Sequence, residues 1–163
     1  MKQLWAPWRM AYIDGLKEPV GCFLCEAAAS ASDDREKLVV LRGSHCIALL
    51  NRYPYNNGHL LVAPKAHKAD LFELSDAENL ELMRMSARLQ RTLLELMQPQ
   101  GFNLGINFGQ PAGAGLPGHL HIHLVPRWSG DTNFMTVLSN IKVLPMTLES
   151  VYDSLTDALK KST

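Results

Sequence analysis

Three histidines occupy every second position of one short apolar run near residue 120. The run reads GHLHIHLVPRW and contains His119, His121 and His123. Alternate residues of a β-strand point to one face, whereas residues two apart on a helix point roughly 200° apart. The intervening residues are all apolar, namely Leu120, Ile122 and Leu124. The segment is therefore predicted to be a strand that packs one face on the core and presents three imidazoles on the other.

Such a row of imidazoles favours chemistry over packing. Neighbouring rings disfavour one another's charged forms, and each half-buried ring nitrogen needs a hydrogen-bond partner. Neutral imidazole can bind zinc. A neutral ring can also attack an electrophile while an acceptor holds its other N–H. Both chemistries stay open on this pattern alone.

The elements that position these histidines follow from periodicity and turn signals. Strand-like runs are predicted at residues 37–42, 45–51, 59–65, 102–109 and 119–127. Ser75 and Glu78 form a capping box that begins a long helix, which runs to about Met97 and ends before Pro99. Its apolar stripe consists of Leu82, Met85, Leu89, Leu93 and Leu96.

A C-terminal amphipathic helix is predicted from Leu148, Val151, Leu155 and Leu159. Residues 1–30 are expected to be irregular, and residues 27–34 to form a short helix or a loop. Strands paired by hairpins and interrupted by one long helix indicate an α+β fold. The expected architecture is a mainly antiparallel sheet with one long helix and a C-terminal helix.

Size and charge narrow the class of protein. The 163 residues fit one domain, 1–163, with an N-terminal segment of about residues 1–35 that carries Cys22-Phe-Leu-Cys25. Sixteen basic residues balance sixteen acidic ones, so no overall charge attracts nucleic acid or a membrane surface. No apolar run of membrane-spanning length and no signal-peptide pattern is present, and three cysteines are too few for a disulfide framework. A cytoplasmic location is expected.

The segment HLHIHLVPR resembles the signature of the histidine triad (HIT) superfamily, a family of nucleotide-binding hydrolases and transferases. NRYPYNNGHLLVAPKAH is similar to the block upstream of that signature, and NFGQPAGAG to the loop before it. The three segments cover most of residues 45–128 in the expected order. The resemblance implies a HIT-like fold that forms a homodimer. VPRWSGDTNFM and LWAPWRMAYI extend it to bacterial proteins related to diadenosine tetraphosphate phosphorylases, and to the fragile histidine triad branch.

The resemblance also implies catalytic roles. His121, the middle histidine, would attack the α-phosphorus of a dinucleoside polyphosphate and form a nucleotidyl-histidine intermediate. Water or phosphate would then resolve that intermediate. His123 would contact the phosphate, and His59 would support the same site.

The substrate would be bound by side chains and by a glycine-rich loop. The family pattern places Asn51 at the ribose, and an amide can serve ribose hydroxyls as donor and acceptor. Asn107 and the loop with Gln110, Gly113 and Gly115 would lie along the phosphates, where glycine lets backbone N–H groups approach.

One departure from the family leaves alternatives open. Where several relatives carry a Ser or Thr hydroxyl in this loop, the chain reads Ala114-Gly115-Leu116. A nucleotide-binding regulatory protein with low turnover is therefore an alternative. Others are a hydrolase of nucleoside phosphoramidates or other nucleotidyl conjugates, and a module structured only by zinc.

A structural zinc site is the expected use of the first histidine. In the family, zinc bound by an N-terminal CxxC is completed by the histidine of Pro-Lys-x-His and the first triad histidine. The set would be Cys22, Cys25, His67 and His119. Free thiols are the alternative, and Cys46 is expected to be a buried small hydrophobic residue.

Other side chains allow two interpretations each. Trp5, Trp8 and Tyr12 could stack on a base or cover a partner subunit, although plain packing is the usual role of large aromatics. Four basic residues could offset phosphate charge or simply be solvated, namely Arg52, Lys65, Lys68 and Arg127.

Overall fold

A five-stranded antiparallel sheet forms the centre of the fold. The computed structural model describes residues 21–131 and 144–161. The strands are β1 (Val39–Arg42), β2 (Cys46–Leu50), β3 (Leu60–Pro64), β4 (Gly101–Ile106) and β5 (Ile122–Arg127). The helices are α1 (Phe23–Ala29), α2 (Asp76–Met97) and α3 (Leu148–Lys161). The sheet order is β1-β2-β3-β5-β4 with every neighbouring pair antiparallel, which confirms the α+β prediction.

The two long helices cover one face of the sheet. Leu120, Ile122 and Leu124 pack there with buried residues of α2 and α3, as the alternation predicts. Ser75 accepts a hydrogen bond from Glu78 N–H and the Glu78 side chain returns to Ser75 N–H, so the predicted capping box begins α2. Four members of the predicted stripe are buried, whereas Leu96 near the end of α2 is 37% exposed.

The other face carries a smaller core and the histidines. Leu24 and Ala27 of α1 pack on Val39, Ile47, Leu49, Leu61, Ala63 and Leu116. Leu61 of β3 pairs with His123 of β5, and residues paired across an antiparallel ladder share a face. The imidazoles of the triad therefore lie on the α1 side of the sheet.

The boundaries correct several expectations. The N-terminal region expected to be irregular contains α1, a seven-residue helix that starts inside the CxxC motif. β5 begins at Ile122, so His119, which lies at a bend, and His121 come just before the strand and not within it. The segment containing Trp5, Trp8 and Tyr12 lies outside the described residues. No helix in the two described ranges is long and apolar enough to cross a membrane.

Candidate active site and metal centre

His121 comes directly before β5, and one of its ring nitrogens is hydrogen-bonded to the backbone. Its Nδ1 lies 2.8 Å from the carbonyl oxygen of His119. A carbonyl can only accept, so Nδ1–H donates and the lone pair of the neutral ring is on Nε2. The ring is 6% exposed, and this burial lowers the pKa of His121. His121 is therefore a neutral imidazole whose Nε2 carries a lone pair, which is the form that a nucleophile requires.

A chain of hydrogen bonds defines the tautomer of His123. The backbone N–H of Tyr55 donates to His59 Nδ1 at 3.1 Å, which makes that nitrogen an acceptor. His59 Nε2–H therefore donates to His123 Nδ1 at 3.0 Å. The proton of neutral His123 is left on Nε2, where it can donate to a ligand. His123 is thus an N–H donor beside the lone pair of His121.

Both supporting rings are neutral at physiological pH. Burial, with a contribution from the neighbouring imidazoles, lowers the pKa of His59 from 6.5 to about 3. The same causes lower the pKa of His123 to about 4. The site therefore keeps its hydrogen-bond pattern well below neutral pH.

His121 and His123 face a cavity of about 450 Å³, which we call the main cavity. Its volume lies in the range of about 300–1,000 Å³ that is usual for small-molecule sites. His121 and His123 line it together with Asn51, Gly113 and Gly115. Asn51 also lies 3.3 Å from His59 Nδ1 through its Nδ2. The structure thus brings most of the predicted catalytic and substrate-binding residues to one place.

Other predicted site residues lie at the margin. Asn107 borders a depression next to the main cavity, and its Nδ2 donates to the Gly113 carbonyl at 3.4 Å. Gln110 is exposed in the short 3₁₀ turn Gln110–Ala112 and is not among the residues that line the main cavity. Gly113 ends that turn at φ +90°, a conformation that glycine adopts without strain.

Of the four basic residues considered for phosphate binding, the two arginines line the site and the two lysines do not. Arg52 lines the main cavity and Arg127 the depression beside it. Lys65 instead donates to the carbonyls of Gly43 and Ser44. Lys68 forms an ion pair with Glu78 at 2.7 Å. Lys65 and Lys68 are therefore engaged in the fold and do not line the main cavity, whereas Lys37 does.

Sequence reasoning missed part of the cavity wall. The Tyr55 ring is tilted by 31° against the His59 ring, with ring centroids 4.7 Å apart. It stacks on the His123 ring with an interplanar angle of 19°. Phe23 of α1 and Leu38 line the main cavity as well. Leu38 has a φ of +60°, a left-handed conformation that is rare for a residue of this type. Spacing carries no signal for these residues, because their positions depend on loop and helix packing.

A second cluster of side chains includes the first triad histidine, His119. Cys22, Cys25, His67 and His119 each offer one ligand atom, and these four atoms lie within 4.8 Å of one another. Cys22 Sγ is 3.1 Å from His119 Nδ1, and Cys25 Sγ is 3.2 Å from His67 Nδ1. His119 Nε2–H donates to the Pro64 carbonyl at 2.8 Å, so Nδ1 carries the lone pair toward the cysteines. The cluster could hold a metal ion.

Cys46 behaves as predicted. The side chain is fully buried in β2, and burial raises the pKa of its thiol to about 12. A thiol of this kind is inert and serves packing.

Known proteins match the chain across this region. The family model for the HIT domain matches residues 33–130. The AP-4-A phosphorylase of Mycobacterium tuberculosis is 41% identical over 156 residues, which cover 91% of this chain and 79% of that protein.

Solved structures show the same fold. A zinc-bound histidine triad family protein from Mycobacterium smegmatis superposes with a TM-score of 0.67 at 25% identity and covers 87% of this chain and 95% of that one. Diadenosine triphosphate hydrolase from Plasmodium falciparum gives 0.64 at 19% identity and covers 79% of each chain. The match to the family model spans Asn51, His59 and the three alternating histidines, and the chain therefore belongs to the HIT domain family.

Proposed function

We propose that the protein cleaves dinucleoside polyphosphates at the α-phosphorus through a covalent nucleotidyl intermediate on His121. Membership of the HIT family and 41% identity to a phosphorylase over most of the chain make it an enzyme of the nucleotide hydrolase and transferase class. The observation that carries the finer proposal is the His121 Nδ1–H bond to the His119 carbonyl, because it directs the Nε2 lone pair into the main cavity.

In the first step, His121 Nε2 attacks the α-phosphorus of a bound dinucleoside polyphosphate. A bond forms between nitrogen and phosphorus while the bond from phosphorus to the bridging oxygen breaks, and its electron pair leaves with the departing nucleotide. His123 Nε2–H donates to the phosphate oxygens and stabilises their charge. His59 holds the His123 tautomer through the 3.0 Å hydrogen bond. Asn51 binds the ribose, and Asn107 and the loop with Gln110, Gly113 and Gly115 bind phosphate.

In the second step, an acceptor oxygen attacks the same phosphorus and the electron pair of the nitrogen–phosphorus bond returns to Nε2. Water as acceptor releases a nucleoside monophosphate, and inorganic phosphate releases a nucleoside diphosphate. The M. tuberculosis relative is a phosphorylase, which supports phosphate as the acceptor. Incubation of diadenosine tetraphosphate with and without phosphate separates the two outcomes: the leaving nucleotide is ATP in both cases, and the transferred half appears as ADP with phosphate and as AMP with water.

The intermediate can be trapped. Acid-labile, base-stable radiolabel from adenine-labelled diadenosine tetraphosphate should remain on the denatured wild-type protein. His121→Asn should carry none, because a carboxamide has no nucleophilic lone pair of this kind. His45→Gln, which changes an exposed histidine, is the control and should label like wild type. Label that survives in His121→Asn would overturn the assignment.

A second candidate function rests on the loop before β5. Ala114 and Leu116 are buried there and offer no hydroxyl to the phosphates. A nucleotide-binding protein of low turnover would bind nucleotide in the micromolar range and cleave neither dinucleotides nor phosphoramidates. A module structured only by zinc would bind nucleotide equally well with and without His121. The trapping assay, extended by a binding titration, separates all three functions.

Zinc is the metal that the cluster behind the triad fits best. Two thiolates and two imidazoles form a closed Cys2His2 donor set, typical of structural zinc. Ligands at about 2.0–2.3 Å from a tetrahedral ion lie roughly 3.3–3.8 Å apart. The separations of 3.1, 3.2 and 3.5 Å among Cys22, Cys25, His67 and His119 come close to this spacing. Zinc there would cross-link α1 to the sheet and hold His119, whose carbonyl orients His121.

The quaternary structure and location are proposed on the same basis. Residues 1–163 form a single HIT domain, and the CxxC segment packs on its sheet through Leu24 and Ala27. Two copies associate as a homodimer through the edge of β4, the last strand of the sheet. A reducing compartment, the cytoplasm, keeps the two thiols available as ligands.

A further inference from the structure

The depression next to the main cavity, which Asn107 and Arg127 line, is called the side groove from here on. Its volume is about 290 Å³. Tyr55 and His123 line both spaces, so the two lie side by side along these rings. A ligand that passes His123 from the main cavity would meet the side groove next.

The register of β4 and β5 creates the floor of the side groove. Gly105 pairs with His123, and Asn103 pairs with Val125, so Gly105 and Asn103 lie on the histidine face. A Cβ placed on Gly105 would meet no atom within 4 Å. The strand accordingly tolerates a side chain at this position, and its absence leaves open space directly opposite His123.

The side groove presents a cation and an amide to a ligand. Arg127 forms an ion pair with Asp131, but the Arg127 side chain is 47% exposed and that of Asp131 only 8%. Arg127 Nη1 also donates to Asn103 Oδ1 at 2.8 Å, which leaves the Asn103 NH2 group as the donor toward the groove. None of the described residues that line the groove is acidic. This chemistry suits the phosphates of an extended anion.

The reaction requires a place for the departing half of its substrate. Displacement at phosphorus puts the attacking and leaving atoms roughly in line on opposite sides. With the transferred nucleotide in the main cavity, the polyphosphate that leaves must pass the donor on His123. We propose that the side groove binds the leaving nucleotide of a dinucleoside polyphosphate, with its phosphates beside Arg127 and Asn103. This inference rests on the proposed function of the same site.

Filling the side groove separates substrates by their leaving groups. Gly105→Val should raise KM for diadenosine tetraphosphate about tenfold or more, because the added side chain occupies the groove. The same variant should change KM for adenosine 5′-phosphoramidate less than about twofold, since ammonia leaves and needs no subsite. His45→Gln is the control, because His45 is exposed and outside the lining of both the side groove and the main cavity. It should behave as wild type with both substrates.

A second variant tests the electrostatic part independently of packing. Asn103→Asp should raise KM for the dinucleotide and leave the phosphoramidate unaffected, because a carboxylate would repel the departing phosphates. Equal effects on both substrates in both variants, or no effect on either, would overturn the subsite while the proposed function stands. Wild-type protein that forms no adduct from either substrate would overturn the proposed function and the subsite with it.

Discussion

The roles proposed for the triad histidines depend on which nitrogen of each ring carries the proton. His119 and His121 each donate to a backbone carbonyl, but through opposite nitrogens, Nε2 and Nδ1 respectively. Their lone pairs consequently point in different directions, one toward the cysteines and one into the main cavity. The tautomer of His123 is fixed by the hydrogen bond from His59, and the tautomer of His59 by the hydrogen bond from the Tyr55 backbone N–H.

The buried His59 makes stability depend on pH. Its pKa is about 3 in the folded protein against 6.5 when solvated, so below pH 6.5 the unfolded state binds a proton that the folded state does not. This contribution to stability is complete above pH 6.5 and is lost as the pH falls toward 3. Between pH 7.5 and 5.5, wild type should lose about 1.4 kcal/mol more of its free energy of unfolding than His59→Gln.

Urea unfolding at the two pH values measures this difference. Comparison of the two proteins cancels the contribution of the metal ligands, which they share. His45→Gln removes an exposed histidine and should lose as much as wild type. Equal losses in wild type and His59→Gln would contradict the prediction.

At the scale of elements, α1 depends on tertiary contacts at both ends. Seven residues form about two turns, too short for a helix to persist alone. Cys22 caps its N-terminus by accepting from Cys25 N–H. Arg42 of β1 donates to the carbonyls of Ala27 and Ser30, both at 2.6 Å, near its C-terminus. The helix carries Phe23 of the main cavity and Cys25, and Cys22 caps it, so the cavity wall and the candidate metal ligands share one element.

Loss of the metal should therefore destabilise the protein and not only empty a site. Purified wild type should contain about one zinc per chain by elemental mass spectrometry, and Cys25→Ser should contain none. The variant should melt about 6–12 °C lower, the shift expected for a loss of about 3 kcal/mol in a chain of this size. Cys46→Ala, at a buried cysteine outside the cluster, should retain its zinc. Zinc retained by Cys25→Ser would contradict the assignment.

At the scale of the whole molecule, the order of strands decides which strand edges are available to the proposed partner subunit. β4 is at one end of the sheet, and among the described residues no strand pairs with the backbone groups on its outer edge. Leu104 on this strand is 49% exposed and Phe108 just after it is 41% exposed. An apolar strand edge of this kind favours pairing with a second copy of the chain.

Leu104→Lys should consequently convert the proposed dimer into a monomer. Light scattering should give twice the chain mass for wild type and the single-chain mass for the variant, because burying the new charge at the interface is costly. Leu80→Lys is the matched control: Leu80 is 51% exposed on α2 and not on the edge strand, so its replacement should leave the dimer intact. A dimeric Leu104→Lys protein would place the interface elsewhere.

Local patterns account for much of the fold. Some features depend only on neighbours within a few residues, so the sequence predicts them. They are the capping box at Ser75, the periodicity of α2 and α3 and the alternation around Ile122. α1 was missed because seven residues carry too little periodicity and the contacts that hold the helix come from Arg42 and the sheet.

The sequence by itself determined which chemistry is available: three imidazoles in register, a CxxC pair and a glycine-rich loop, in the order of the HIT family. Only the tertiary structure decided how that chemistry is distributed. Cys22 meets His119 across 97 residues, and His59 meets His123 across 64. Ring tautomers depend on carbonyls and N–H groups supplied by such distant contacts, and the side groove depends on the pairing of β4 with β5. Spacing along a chain carries no information about either.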